Sequence, residues 1–379
     1  MSASLSKAPD GEAVPAPVVP AFASGPGRFG FIDNAKAIGI VLVVLGHSRG
    51  LPEALGQLFF GFHVPLFFFL SGFLLKPDRL RLSGVSNARQ VLRTLGLPYL
   101  FFFLLAWAYW LATRHVGAKA LLNVGQAWSA PVYGFFTGIE YDLFVDPPLW
   151  FFPCLIATIV VYHAARKMLS AGQSACLFAL IAVVLAIGWR ETFPYRLPLG
   201  LDTMGIALFF YALGQYLRAR DVLTPQAWKV LLAATLISLG LLLYMGALNG
   251  RVDLANMRFG VIPVLYLPAA LAGIAATLSI CQWLPRSRLA DWLSENTLTI
   301  FPAHFLFLSL VRGAATSLHL IPGEYQYGLG WSILSSVLAI ALCVPLVFFL
   351  RLLPASLAIV RQRRPLVLMH VRYRQPDVS

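Results

Sequence analysis

Apolar residues run in long stretches along this chain, broken by short clusters of charge, proline and glycine. Ten stretches stand out, at about 33–51, 54–75, 94–113, 147–165, 174–189, 198–217, 229–248, 259–283, 291–311 and 327–350. Most approach the roughly 20 residues that a helix needs to cross a hydrocarbon core. The pattern predicts an all-α fold, a polytopic membrane helix bundle of about ten transmembrane helices. An even count puts both termini on one side. One long connection, 114–146, has an apolar middle from Trp128 to Gly138 that is too short and too broken to span. It reads either as a re-entrant piece that caps a cavity or as an aromatic loop at headgroup level. No repeat of 20–50 residues and no second, soluble domain is visible.

Composition agrees with the pattern. The chain is 59% hydrophobic and 12% charged, with a mean hydropathy of +0.75, which a multi-span bundle requires and a soluble domain does not. The net charge of +13 raises the question of a nucleic-acid partner. The placement of the basic residues answers it in the negative. With the N-terminus inside, most of the 29 Lys and Arg fall in inner segments: Lys76, Arg79, Arg81, Arg89 and Arg93, then Arg166 and Lys167, Arg218 and Arg220, Arg286 and Arg288, and the tail from Arg361 to Arg374. That is the sidedness of a membrane protein with both termini cytoplasmic. Residues 1–28, rich in Ala, Pro, Gly and Ser and lacking an apolar core, read as a disordered cytoplasmic tail and not as a cleaved signal. Residues 352–379 read as a basic cytoplasmic tail, leaving 29–351 as the membrane domain. The four cysteines, Cys154, Cys176, Cys281 and Cys343, lie in apolar stretches and show neither a disulfide framework nor a metal spacing.

Polar residues at membrane depth carry the functional signal. Lys36 and His47 are eleven positions apart in the first stretch, which places them on one helix face about 16 Å apart. Ionisable groups inside a span are functional candidates by default. Lys36, one turn from Asp33, fits two roles: an anchor that snorkels to the headgroups, or a receptor for phosphate groups arriving from the inner side. The second stretch holds His63 two residues before Pro65, then Ser71-Gly72-Phe73; the ninth holds Pro302 two residues before His304. Proline frees backbone and kinks a helix, and Ser-Gly permits close approach of a neighbour. Asp202, Asn256 and Arg258, at span edges, are open to two readings, cavity lining or interface anchoring.

A neutral imidazole at His47 can take a proton from a hydroxyl as it attacks an ester or thioester, or can itself accept an acyl group. A cation three turns toward the inner face suits the nucleotide end of a long, anionic, acyl-carrying cofactor. Polar groups on kinked helices also suit a transporter or flippase, although no inverted repeat is seen.

Four stretches resemble the integral-membrane acyltransferase 3 family, which includes O-acetyltransferases of exopolysaccharides, O-antigens and nodulation factors. They are Asp33 with the Lys36–His47 element, Phe62-His-Val-Pro-Leu-Phe-Phe-Phe-Leu-Ser-Gly-Phe73, Leu149-Trp-Phe-Phe-Pro153 and Leu293 through His304. They extend from the first stretch to the ninth. The resemblance implies a ten-span fold in a bacterial inner membrane, an acyl-CoA donor that is most often acetyl-CoA, and His47 as catalytic base. It places the donor at Lys36, where the family often has arginine, and at Ser71. His63, Trp150 and His304 are expected to line the acceptor site, and no metal is expected. The implied partners are the acyl-CoA, a glycan or lipid-linked sugar acceptor and membrane lipids. Transfer of succinyl or another short acyl group is the alternative within the same chemistry. No appended hydrolase-like domain is visible, so the membrane domain is expected to act alone.

Overall fold

The computed structural model describes residues 30–116, 120, 123–192, 195–223, 227–321 and 327–353. The expected tails therefore lie outside the described residues, apart from 352 and 353. Among the described residues there is no strand, only a single antiparallel bridge between Asp253 and Arg258. This follows from the solvent: in a bilayer a helix satisfies its own backbone hydrogen bonds without a neighbour.

Eleven helices carry the argument. They are α1 (Gly30–His47), α2 (Glu53–Phe73), α3 (Gly84–Thr113), α4 (Ala130–Thr137), α5 (Phe151–Ala165), α6 (Ala171–Thr192), α7 (Leu201–Ala219), α8 (Trp228–Asn249), α9 (Tyr266–Trp283), α10 (Arg288–Glu295) and α11 (Thr297–Ser317); a twelfth, α12 (Leu329–Leu352), closes the described chain. Nine helical spans among the described residues are long and apolar enough to cross a membrane. Helix α7, of 19 residues, has Asp202 in its first turn and Arg218 in its last, and it supplies the tenth long helix of the bundle. Helices α6, α8 and α12 leave most of their residues unburied, whereas most of α9 is buried inside the bundle. The first three therefore form the perimeter that faces lipid, and α9 belongs to the interior.

Helix α1 is central, packed against α2, α9, α10, α11 and α12. Its buried Asn34 donates to the Leu284 carbonyl (3.1 Å), which satisfies an acceptor just beyond the end of α9. Helices α2 and α7 approach through paired glycines. A Cβ on Gly72 would fall 1.9 Å from the Tyr211 carbonyl oxygen, and one on Gly214 would fall 2.1 Å from that of Phe69. Backbone cannot retreat as a side chain tip can, so Gly72→Ala is expected to separate the two helices. A loss of about 1–3 kcal/mol is the usual size for an overpacked contact. It is read as a lower midpoint of thermal unfolding in detergent, and an unchanged midpoint would show that the helices do not touch there.

Two sequence expectations change. The ninth stretch, read as 291–311, is two helices broken at Asn296 (φ −102°, ψ 12°). Arg288, Asp291 and Glu295 make α10 too polar to enter hydrocarbon, and Ser287 caps it by accepting from the Ala290 N–H at 3.0 Å. The membrane helix therefore starts at Thr297 and runs six residues further, to Ser317. The Trp128–Gly138 stretch contains the short helix α4, which lies against α3. Phe135 stacks on Tyr99 at 4.9 Å, and the Tyr99 hydroxyl donates to the Phe135 carbonyl (2.7 Å). Its Tyr133 and Phe136 are exposed, as aromatics at an interface are.

Candidate active site

Helix α1 carries both principal residues, and each opens onto a different cavity. Lys36 borders a cavity of about 390 Å³ together with Ser71, at the end of α2, and with Lys76, Arg79, Ser294 and Thr297. The Lys36 Nζ donates to the Ser294 carbonyl (2.6 Å), and the Ser294 hydroxyl donates to Asp33 (2.7 Å). The last turn of α10 thus holds the lysine by its backbone. Ser71 donates to the Phe67 carbonyl one turn earlier (2.7 Å). Three cations, Lys36, Lys76 and Arg79, share this space with one carboxylate, Glu295. Lys76 and Arg79 were legible in the sequence only as markers of sidedness. Their position directly after Ser-Gly-Phe was the signal that they belong with Ser71.

Phe67, Phe151 and Phe301 close this cavity toward the middle of the bundle. Their ring centroids are 4.7–6.4 Å apart, in edge-on and tilted contacts. On the other side of the layer, the Phe301 ring lies 6.1 Å from that of His304.

The three histidines expected at membrane depth come together there. The His47 and His304 ring centroids are 5.1 Å apart, and Phe60 meets both His47 (5.9 Å) and His63 (5.2 Å) edge-on. The Nδ1 of His63 lies 2.5 Å from the Phe59 carbonyl, and the Nδ1 of His304 lies 2.5 Å from the Phe301 carbonyl. A carbonyl only accepts, so both Nδ1 atoms carry hydrogen, and in the neutral rings each Nε2 is an acceptor. The Nε2 of His304 is buried and has no hydrogen-bond partner among the described residues. His47 is partly exposed, whereas His63 and His304 are buried behind it. Among the described residues, no group of three His, Cys, Asp or Glu side chains is placed to hold a metal ion.

His47 opens onto a second cavity, of about 230 Å³, with Arg49, Phe305, Ser309, Arg312, Trp331 and Ser335. Trp150 lines neither cavity; it is buried ahead of α5 and meets Phe151 edge-on at 6.3 Å. Asp202 and Asn256 are likewise in neither lining, and Arg258 borders a third cavity, of about 310 Å³, with Arg251 and Asp253. Asp202 is buried in an ion pair with Arg196 (2.5 Å), and Asn256 donates to Glu140 (3.0 Å) and Asp253 (2.9 Å). Burial raises the Glu140 carboxyl above its ordinary range, and the Asn256 bond pulls it the other way. The Arg258 N–H donates to the Asp253 carbonyl (2.9 Å). Asp202 and Asn256 hold the connections between helices at their ends.

The bundle thus has a cationic cavity at one end of its central helix and a histidine opening at the other, an arrangement with room for a group-transfer reaction between them. The chain belongs to the acyltransferase 3 family: the family model for the acyltransferase domain matches residues 29–350. It is a multi-pass membrane acyltransferase. No curated protein and no solved structure matches it.

Proposed function

We propose that this protein moves an acetyl group from acetyl-CoA to a sugar hydroxyl of an exopolysaccharide or surface glycan, or of its lipid-linked precursor, in a bacterial inner membrane. The observation that carries the reading is the placement of Lys36 and His47 on one helix, in separate cavities with the phenylalanine layer between them. Both termini are cytoplasmic, so the donor enters at the Lys36 end. Lys36, Lys76 and Arg79 receive its phosphates, and Ser71 borders the path of its pantetheine arm. Phe67, Phe151 and Phe301 give way as the thioester reaches His47.

The acceptor hydroxyl approaches His47 from its own cavity. The imidazole takes the hydroxyl proton while the oxygen attacks the thioester carbonyl. The C–S bond then breaks, and the departing CoA thiolate takes the proton back from the imidazolium. His304 acts as a positioning residue: its Nε2 lone pair accepts from His47 once that ring is protonated. His63 and Trp150 support the site from behind, through Phe60 and Phe151 respectively. His304→Ala is therefore expected to lower kcat by about 100-fold, the size typical of a misplaced catalytic group. The KM for acetyl-CoA stays within about 2-fold of its starting value, and His304→Gln, which keeps an acceptor, recovers part of the rate. A rise in donor KM instead would place His304 on the donor path.

The reading as a whole is tested by NMR of glycan acetyl groups in cells with and without the protein. Loss of one set of acetyl signals is expected. An unchanged pattern under conditions of expression would sink it, and loss of succinyl signals would change the acyl group.

A further inference from the structure

The His47 cavity is more specific than a plain sugar site requires. Among the described residues its lining contains two guanidinium groups, Arg49 and Arg312, and no carboxylate. Neither was singled out by the sequence: Arg312 fell one residue beyond the expected end of the ninth stretch. In the structure it belongs to a continuous face of α11, where Phe305, Leu308, Ser309 and Arg312 recur at helical spacing and all border the cavity.

Arg49 is held there by the turn after α1. The Ser48 hydroxyl donates to the Leu45 carbonyl (2.7 Å) and is hydrogen-bonded to Ser332 of α12. Gly50 has φ +88° and lies so close to Gly328 that an added Cβ would come within 2.5 Å of its carbonyl oxygen. The chain end of α1 is thereby fastened to the start of α12. Arg49 then lies 5.7 Å over the Tyr327 ring, and Tyr327 packs against Trp331 of the cavity wall. Arginines that anchor a helix reach outward to headgroups. Arg49 is exposed and Arg312 half-buried, and both border the space into which His47 opens.

We propose that this cavity recognises an anionic acceptor: Arg49 and Arg312 bind a carboxylate or phosphate carried near the hydroxyl that His47 deprotonates, with Trp331 offering an aromatic face to the sugar ring. Planar guanidinium groups match the geometry of carboxylate and phosphate oxygens. The proposal rests on the reading of His47 as the base of glycan acylation, and it narrows the acceptor to acidic sugars or sugars linked to a polyprenyl diphosphate.

The test is binding, measured without turnover on the full-length protein in detergent by calorimetry. The probes are tetragalacturonate, its carboxyl-reduced neutral counterpart, a polyprenyl diphosphate carrying neutral sugars, and acetyl-CoA. Wild type is expected to bind at least one charged probe at least about 10-fold more tightly than the neutral one, and Arg49→Gln/Arg312→Gln to abolish that preference. Acetyl-CoA affinity stays unchanged, which shows that the variant is folded. Preference for tetragalacturonate identifies a carboxylate, and preference for the lipid-linked probe a diphosphate. Equal binding of charged and neutral probes, no binding of either charged probe, or a variant that keeps the preference overturns the proposal. So does a site that retains phosphatidylglycerol through the two arginines and binds no saccharide. Selective anion binding without acetyl transfer to any glycan would instead refute the acetyltransferase reading and leave the anion site standing.

Discussion

His47→Ala is expected to lower acyl transfer by about 10²–10⁴-fold, the contribution of a positioned general base. The fold should tolerate the change. His47 is the last residue of α1, partly exposed to its cavity, and its neighbours His304, Phe60 and Phe305 touch it by ring contact. The His63 and His304 rings are each fixed by a carbonyl within their own helix, so removing His47 takes no partner from their Nδ1 atoms. Helical content and donor affinity should therefore stay near wild type while kcat collapses. His47→Gln, which matches much of the shape but takes no proton, should be as inactive. Acetylation at the normal rate by either variant in membranes would remove His47 from the role of base.

Lys36→Ala is expected to raise the KM for acetyl-CoA by about 10–100-fold, the range for losing a charge-assisted contact. The fall in kcat should be smaller, because Lys36 lies about three turns from His47. The effect should shrink for a donor that lacks the nucleotide, since Lys36 is assigned to the phosphates. Lys36→Arg keeps the charge and is expected to keep most of the affinity. Lys36 also bonds the Ser294 carbonyl, so the alanine variant needs a stability check in detergent. A uniform loss with full-length and truncated donors would show a structural role, with the lysine fastening α1 to the last turn of α10.

Much of the fold was legible because the apolar stretches are long and the solvent is simple. Nine of the helical spans are long and apolar enough to cross a membrane, and α7 has the length of a tenth. The departures have physical causes. The α10–α11 break at Asn296 depends on charge at 288–295, which a window of mean hydropathy averages away. The α4 helix depends on stacking against Tyr99, a contact 36 positions away in sequence. Within the site, the Lys36–His47 alignment followed from helical period alone. The meeting of His47 with His63 and His304 required the packing of α1, α2 and α11, which no local pattern encodes. Arg49 and Arg312 were hidden for another reason: cations at the ends of apolar stretches look like anchors until the structure shows which way they face. Trp150 shows the converse, a residue in a matching motif that is buried behind the cavity wall.

The central claim is directional: the donor enters at the Lys36 end and the acyl group leaves at the His47 end. It is tested with the protein in vesicles in a single orientation. Acetyl-CoA labelled in its acetyl group is supplied only at the Lys36 face, and the glycan that loses acetyl groups in cells lacking the protein is supplied only at the other. The account predicts labelled glycan in the His47-side compartment and free CoA in the Lys36-side compartment, with both lost in His47→Ala. Labelled glycan formed only when donor and acceptor share one compartment would contradict it.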